Sequence, residues 1–170
     1  VYTLAIMDEL FRAIDGNRPG SLNDILRMAA FHEPLFDLLN SPNPGYNNCT
    51  PLLHALKRPG VLPEIVRLLL EAGSCTEAGP FGALHCALSA HQPSPILKLL
   101  FEFKADIYRL MPLEGGETDE KAGELQEFSL LHLALFVGAS AGVIQLLCQE
   151  GGSLLINNQR NSLKETPLSK

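Results

Sequence analysis

Thr50-Pro51-Leu52-Leu53-His54-Ala55, Gly82-Ala83-Leu84-His85-Cys86-Ala87 and Ser129-Leu130-Leu131-His132-Leu133-Ala134 are three versions of one short phrase. Each is followed by a second apolar run of one type: Ile65 to Leu70, Ile96 to Phe101, and Val143 to Cys148. Each run then meets small or turn-forming residues, Ala72-Gly73, Lys104-Ala105-Asp106 and Gly151-Gly152. A fourth copy opens at Thr166-Pro167-Leu168, and an upstream run, Leu35-Phe36-Asp37-Leu38-Leu39, has the same look. The chemistry of the phrase is that of a helix start. The Thr50 hydroxyl can accept from an orphan amide of the first turn. Pro51 then falls where its missing N–H costs nothing. Leu52, Ala55 and Leu56 share one helical face, and the small Ala lets a neighbouring helix approach. The second runs are apolar nearly all round, as expected of helices with neighbours on several sides. Helix pairs of this kind leave apolar flanks open, and stacking one pair on the next closes them.

Two sub-motifs recurring together, in order, three times resemble the ankyrin repeat, whose unit opens with T-P-L-H-x-A and later carries a V-V-x-L-L-L-x-x-G-A-D stretch. The resemblance runs over roughly residues 21 to 170. It implies an all-α fold: an ankyrin-repeat solenoid of stacked antiparallel helix pairs with an N-terminal helical cap and irregular inter-repeat loops. The expected layout is a capping helix and loop over 1–20, a degenerate first repeat over 21–46 and a repeat over 47–78. A repeat over 79–125 follows, with an acidic insertion at about 109–125, then a repeat over 126–162 and the start of a truncated one over 163–170. The pattern departs from the family in places. Ala55 to Ala87 is 32 residues, but Ala87 to Ala134 is 47, against a family period of about 33. The first histidine is displaced by one, with Leu53 in its slot and His54 after it. The stretches from Leu39 to Thr50 and from Gly73 to Gly82 are short for full hairpins, so reduced fingers are expected there.

The N-terminal segment carries Met7, Leu10, Phe11 and Ile14 at i, i+3, i+4, i+7, one apolar helical face. Gly16-Asn17-Arg18-Pro19-Gly20 breaks the chain, Ser21 is read as the cap of a helix over Leu22 to Phe31, and Pro34 opens another through Leu39. Residues 1 to 14 are expected to act as a cap or a degenerate first unit. The extra length in the third unit falls on Tyr108 to Glu127, rich in Glu and Asp and loosened by Gly115, Gly116 and Gly123. A long insert of this kind is a mobile loop or an arm for a basic surface.

Composition bounds the function. There are 13 Lys and Arg against 19 Asp and Glu, a net charge of −6. With no basic run, the chain is a poor match to a phosphate backbone, so no nucleic-acid partner is expected. Cys49, Cys75, Cys86 and Cys148 have no C-x-x-C spacing, which argues for free, buried thiols in a reducing compartment. Leu130 to Cys148 has no formal charge over nineteen residues. Its small, helix-breaking centre reads as two buried helices joined by a turn, so no membrane insertion is expected.

The catalytic readings are thin. Gly138-Ala139-Ser140-Ala141-Gly142 matches G-x-S-x-G, but that elbow needs a strand before it and a histidine after it. His85 and Cys86 are helix neighbours about 100° apart and do not face each other. No phosphate loop and no H-E-x-x-H appears. Gly151-Gly152-Ser153 reads as a helix stop.

No enzyme activity, cofactor or metal is therefore expected. The expected function is a non-catalytic protein–protein interaction module within a larger intracellular protein, cytoplasmic with a nuclear location as the alternative. The alternative function is a regulatory or substrate-recruiting segment of an enzyme such as a ubiquitin ligase, with the catalytic part elsewhere. The start at Val1 and the broken fourth copy support the reading as a fragment. The resemblance places partner contacts on first-helix ends and inter-repeat loops: Lys57 and Arg58, with Ser89 and Phe136, then Tyr46, Asn47, Glu77, Phe81, Asn158 and Arg160. Tyr46, Arg160 and Phe81 are the expected anchors, being of types that concentrate interface energy.

Overall fold

A computed structural model describes residues 2–32, 34–79, 82–109, 111–112 and 127–153. They are mostly helical. The chain divides into two units, Val1–Ala105 and Asp106–Lys170. The first holds α1 (Tyr2–Asp15), α2 (Pro19–His32), α3 (Leu35–Asn40), α4 (Pro51–Lys57), α5 (Pro63–Glu71), α6 (Ala83–Ser89) and α7 (Ser94–Glu102). The second holds β1 (Met111–Pro112), β2 (Glu127–Phe128), α8 (Leu130–Phe136) and α9 (Ala141–Ser153).

Within the first unit the packing forms a ladder. Three helices pack on their sequence neighbours, α1 on α2, α4 on α5 and α6 on α7. Two rows cross them: α1 packs on α4 and α4 on α6, while α2 packs on α5 and α5 on α7. The short α3 touches α2 and α4. The buried faces are those marked by the periodicity: Leu10, Phe11 and Ile14 on α1, Leu52, Ala55 and Leu56 on α4, Ile65, Val66 and Leu69 on α5. Met7, Phe11, Ala29 and Leu38 form a cluster joined by Ile6, Leu35 and Tyr46, which seats α3 and the following turn against α1 and α2. Helix α2 starts at Pro19, two residues before the Ser21 cap expected from the sequence. The chain re-enters helix as soon as the turn closes, with Leu22 N–H already donating to Arg18 carbonyl.

Five helices close in the same way. After α1, α5, α6, α7 and α8 one residue adopts a left-handed backbone: Asn17, Gly73, His91, Lys104 and Gly138, with φ of 52°, 108°, 54°, 63° and 69°. In each case its N–H donates three residues back and the next N–H donates five back, as in Lys104 to Phe101 and Ala105 to Leu100. This is the closure that satisfies orphan carbonyls at a helix C-terminus. Helix α4 is an exception. Its cap residue Arg58 is extended, with φ −82° and ψ 127°. The cause is Pro59, whose ring clashes with a helical conformation in the preceding residue. The carbonyls at this end are instead met from the next pair: Gln92 Nε2 donates to Leu56 carbonyl at 2.7 Å and to Arg58 carbonyl at 2.8 Å.

Other turn amides make similar ties. Asn17 donates to Gly60 carbonyl and accepts from Leu62 N–H. Asn40 donates to Phe36 and Gly73 carbonyls and accepts from Cys75 N–H. The segment before α4 is a short closed loop, the finger. A 3-10 turn over Pro44–Tyr46 is closed by one antiparallel bridge, Asn43 to Cys49.

In the second unit Met111 pairs with Phe128 and Pro112 with Glu127, so the acidic insert leaves and returns through a two-residue ladder that the composition did not signal. The insert itself, residues 113–126, and the fourth copy at 166–168 lie outside the described residues. The apolar stretch from Leu130 to Cys148 is broken by a turn between α8 and α9. Among the described residues no helix is long and apolar enough to cross a membrane. Helix α9 runs through Gly151-Gly152, and Ser153, the last residue of the expected stop, is the last residue of α9. Gly151 is buried there and its carbonyl accepts from the Tyr108 hydroxyl at 3.0 Å, a contact that compensates the poor propensity of glycine.

Candidate functional site

The three phrases differ in how they place their histidine. In α8, Ser129 caps the helix by accepting from His132 N–H, and its Oγ lies 2.6 Å from His132 Nδ1. His132 is buried. In α4, Thr50 caps by accepting from Leu53 N–H, and Leu53 fills the buried slot. His54 follows one step later and turns by about 100°. It therefore faces α1, with Nε2 2.7 Å from Asp15 Oδ1.

That rotation assembles a polar and aromatic group at the junction of α1, α4 and the finger. Asp15 Oδ1 also accepts from Arg58 Nη1 at 2.6 Å, and Asp15 carbonyl accepts from Arg58 Nη2 at 2.8 Å. A guanidinium at the end of α1 also suits the negative pole of that helix. Tyr46 stacks on the buried Phe11 with ring centroids 4.0 Å apart and planes 16° apart. It meets the His54 ring edge-on at 5.2 Å. Lys57 is exposed, and its Nζ donates to Cys49 Sγ at 3.2 Å. Asn47 and Asn48 sit exposed at the fingertip, both left-handed, with φ of 56° and 54°.

Of the residues expected at a partner surface, Tyr46, Asn47, Lys57 and Arg58 thus come together around α4. Arg58 is already committed to Asp15, so it fixes the surface rather than offering a free cation. Glu77 lies half-buried in the loop between α5 and α6. Phe81, Asn158 and Arg160 lie outside the described residues. Ser89 and Phe136, at the ends of α6 and α8, are exposed. Asp15, His54 and Gln92 are the members that the sequence reading did not assign. The displaced histidine was the available signal for the first two, since one step around a helix redirects a side chain to a different neighbour.

No disulfide joins the four cysteines: Cys49 and Cys86 are buried, Cys148 is half-buried, and Cys75 is exposed. The exposure of Cys75 corrects the expectation of uniformly buried thiols. It lies in the loop after α5, anchored by its backbone to Asn40 rather than by packing of its side chain. Among the described residues no three His, Cys, Asp or Glu side chains gather as a metal site. Ser140 sits in a turn with helix on both sides, so the strand required by a nucleophile elbow is absent from that position. No protein-family model and no curated protein matches the chain.

What the α4 group presents to solvent is a stacked aromatic ring at Tyr46, the amides of Asn47 and Asn48, and the side chain of Lys57. Arg58, His54 and Asp15 hold that surface at a fixed angle to α1.

Proposed function

We propose that the chain is a protein–protein interaction module, an ankyrin-like stack of helix pairs in an intracellular protein, that grips its partner through the face around α4. The observation that carries this reading is the ladder of the first unit, with one row of first helices and one of second helices. Such a ladder builds an extended scaffold in which each pair needs only its neighbours. On this reading α1 and α2 are the first helix pair, degenerate in sequence, and α3 is an added turn of helix that seats the first finger. The α8–α9 pair, opened by the same capped phrase, is a further unit of the same kind.

The surface around α4 suits an extended polypeptide. Aromatic groups supported from beneath supply contact area at little entropic cost, and fingertip amides supply adaptable hydrogen bonds. The test is affinity capture with the whole chain as bait, compared with an Asn47→Ala/Lys57→Glu double variant whose helicity is verified by circular dichroism. Loss of the proteins captured by the wild-type chain supports the reading. Equal recovery of the same proteins refutes the surface.

A further inference from the structure

We propose that Cys49 and Lys57 form an oxidant-driven covalent cross-link, a bond between Sγ and Nζ that fastens the finger to the end of α4. Four observations point there. Lys57 Nζ already lies 3.2 Å from Cys49 Sγ. Asn47 carbonyl stands 3.7 Å from the same sulfur and accepts the thiol proton, which leaves a sulfur lone pair toward the amine. The Cys49 backbone is held on both sides, its N–H donating to Tyr46 carbonyl and its carbonyl accepting from Asn43 N–H, which keeps the residue in place beside the end of α4. Cys49 is only 4% exposed, so peroxide, the smallest of the reagents used, is the one that meets the sulfur in the folded chain, and dithiothreitol and dimedone are added together with urea, which opens the site to them.

The chemistry balances with hydrogen peroxide as oxidant. The Cys49 sulfur attacks one peroxide oxygen, the O–O bond breaks, and sulfenic acid and one water result. Lys57, having given its ammonium proton to solvent, attacks the oxidised sulfur through its amine lone pair. The S–O bond breaks, and the departing hydroxide takes an amine proton as a second water. In sum, one thiol, one amine and one peroxide become one sulfenamide and two waters. A reducing thiol reverses the bond by attacking the sulfur and releasing the amine. The flexible four-carbon stem of lysine closes the remaining distance.

The bond erases the Lys57 cation and ties residue 49, just before the Thr50 cap, to the last residue of α4. The effect on binding rests on the recognition surface proposed above; the bond itself does not. The test uses the whole chain, treated with hydrogen peroxide, alkylated, digested and read by tandem mass spectrometry. The expected product is a segment spanning Cys49 and Lys57 that is two hydrogens lighter, resists alkylation, and is restored by dithiothreitol. In Lys57→Met, whose change lies on an exposed side chain, that product should vanish and dimedone should trap the sulfenic acid instead. The same mass loss in Lys57→Met would overturn the cross-link, as would dimedone adduct formation in the wild type equal to that in the variant. A second arm measures capture of the partner. Peroxide should weaken it about tenfold in the wild type, the loss of one charge-assisted contact, and leave Cys49→Ser unchanged. A bond that forms without weakening capture would refute the recognition surface and leave the cross-link standing.

Discussion

Replacing Gln92 by Ala removes a side chain that closes the C-terminal end of α4. Gln92 is 4% exposed, and its amide donates to Leu56 carbonyl at 2.7 Å and Arg58 carbonyl at 2.8 Å. The Leu56 carbonyl is buried, so stranding it costs about 1–3 kcal/mol. The Arg58 carbonyl is partly exposed and recovers a water, which limits that loss to about 0.5–1 kcal/mol. Side-chain entropy regained in the folded state offsets part of the sum. The expected net loss is about 2 kcal/mol, read from urea unfolding followed by circular dichroism. Gln92→Glu sharpens the test because the shape is kept and both N–H donors are lost. At neutral pH the carboxylate faces two carbonyls and should cost at least as much as Ala. That environment disfavours the charged form, so the introduced carboxyl has a raised pKa in the folded state. The stability relative to wild type should therefore be regained as pH falls toward about 4, where the acid O–H can donate one bond. A Gln92→Ala chain within about 0.5 kcal/mol of wild type would refute the reasoning, as would a Glu variant equal to wild type at neutral pH.

Four further outcomes are expected, each read from the urea midpoint. Asp15→Ala should cost about 1–2 kcal/mol, combining a modest ion pair with a hydrogen bond to His54. Asp15 and Arg58 are 38% and 37% exposed, so their coupling in a double-mutant cycle should stay under about 1 kcal/mol and shrink in high salt. Thr50→Ala should cost about 1 kcal/mol and Thr50→Ser almost nothing, because only the hydroxyl acceptor matters at the cap of α4. Lys104→Gly should stabilise the chain by up to about 1 kcal/mol, since Lys104 holds φ +63° on an exposed turn where glycine pays no steric cost.

The helix starts were legible because they rest on local chemistry. Thr50 was read as a hydroxyl cap before an apolar run and caps α4, and Ser129, in the same place in its phrase, caps α8. The turns were legible as breaks, at Gly16 to Gly20, Gly73, Lys104 and Gly138, but the left-handed backbone of Asn17, His91 and Lys104 was not, because these residue types do not require it and the flanking helices impose it. Gln92 is polar and follows a turn, so nothing local marked it as buried. Its role depends on Pro59, 33 positions earlier, denying α4 the usual closure. The β1–β2 ladder was illegible for a similar reason, since two residues on each side carry no period. At the candidate surface the sequence singled out Tyr46, Asn47, Lys57 and Arg58. It could not say that Arg58 is spent on Asp15, because that pairing spans 43 positions.

The most direct measurement is amide hydrogen exchange across the chain, alone and saturated with a captured partner. Recognition through the α4 face should slow exchange in residues 43–49 and 54–58 and leave α2, α5 and α7 as they were. Protection confined to those second helices, or none within the finger and α4, would contradict it.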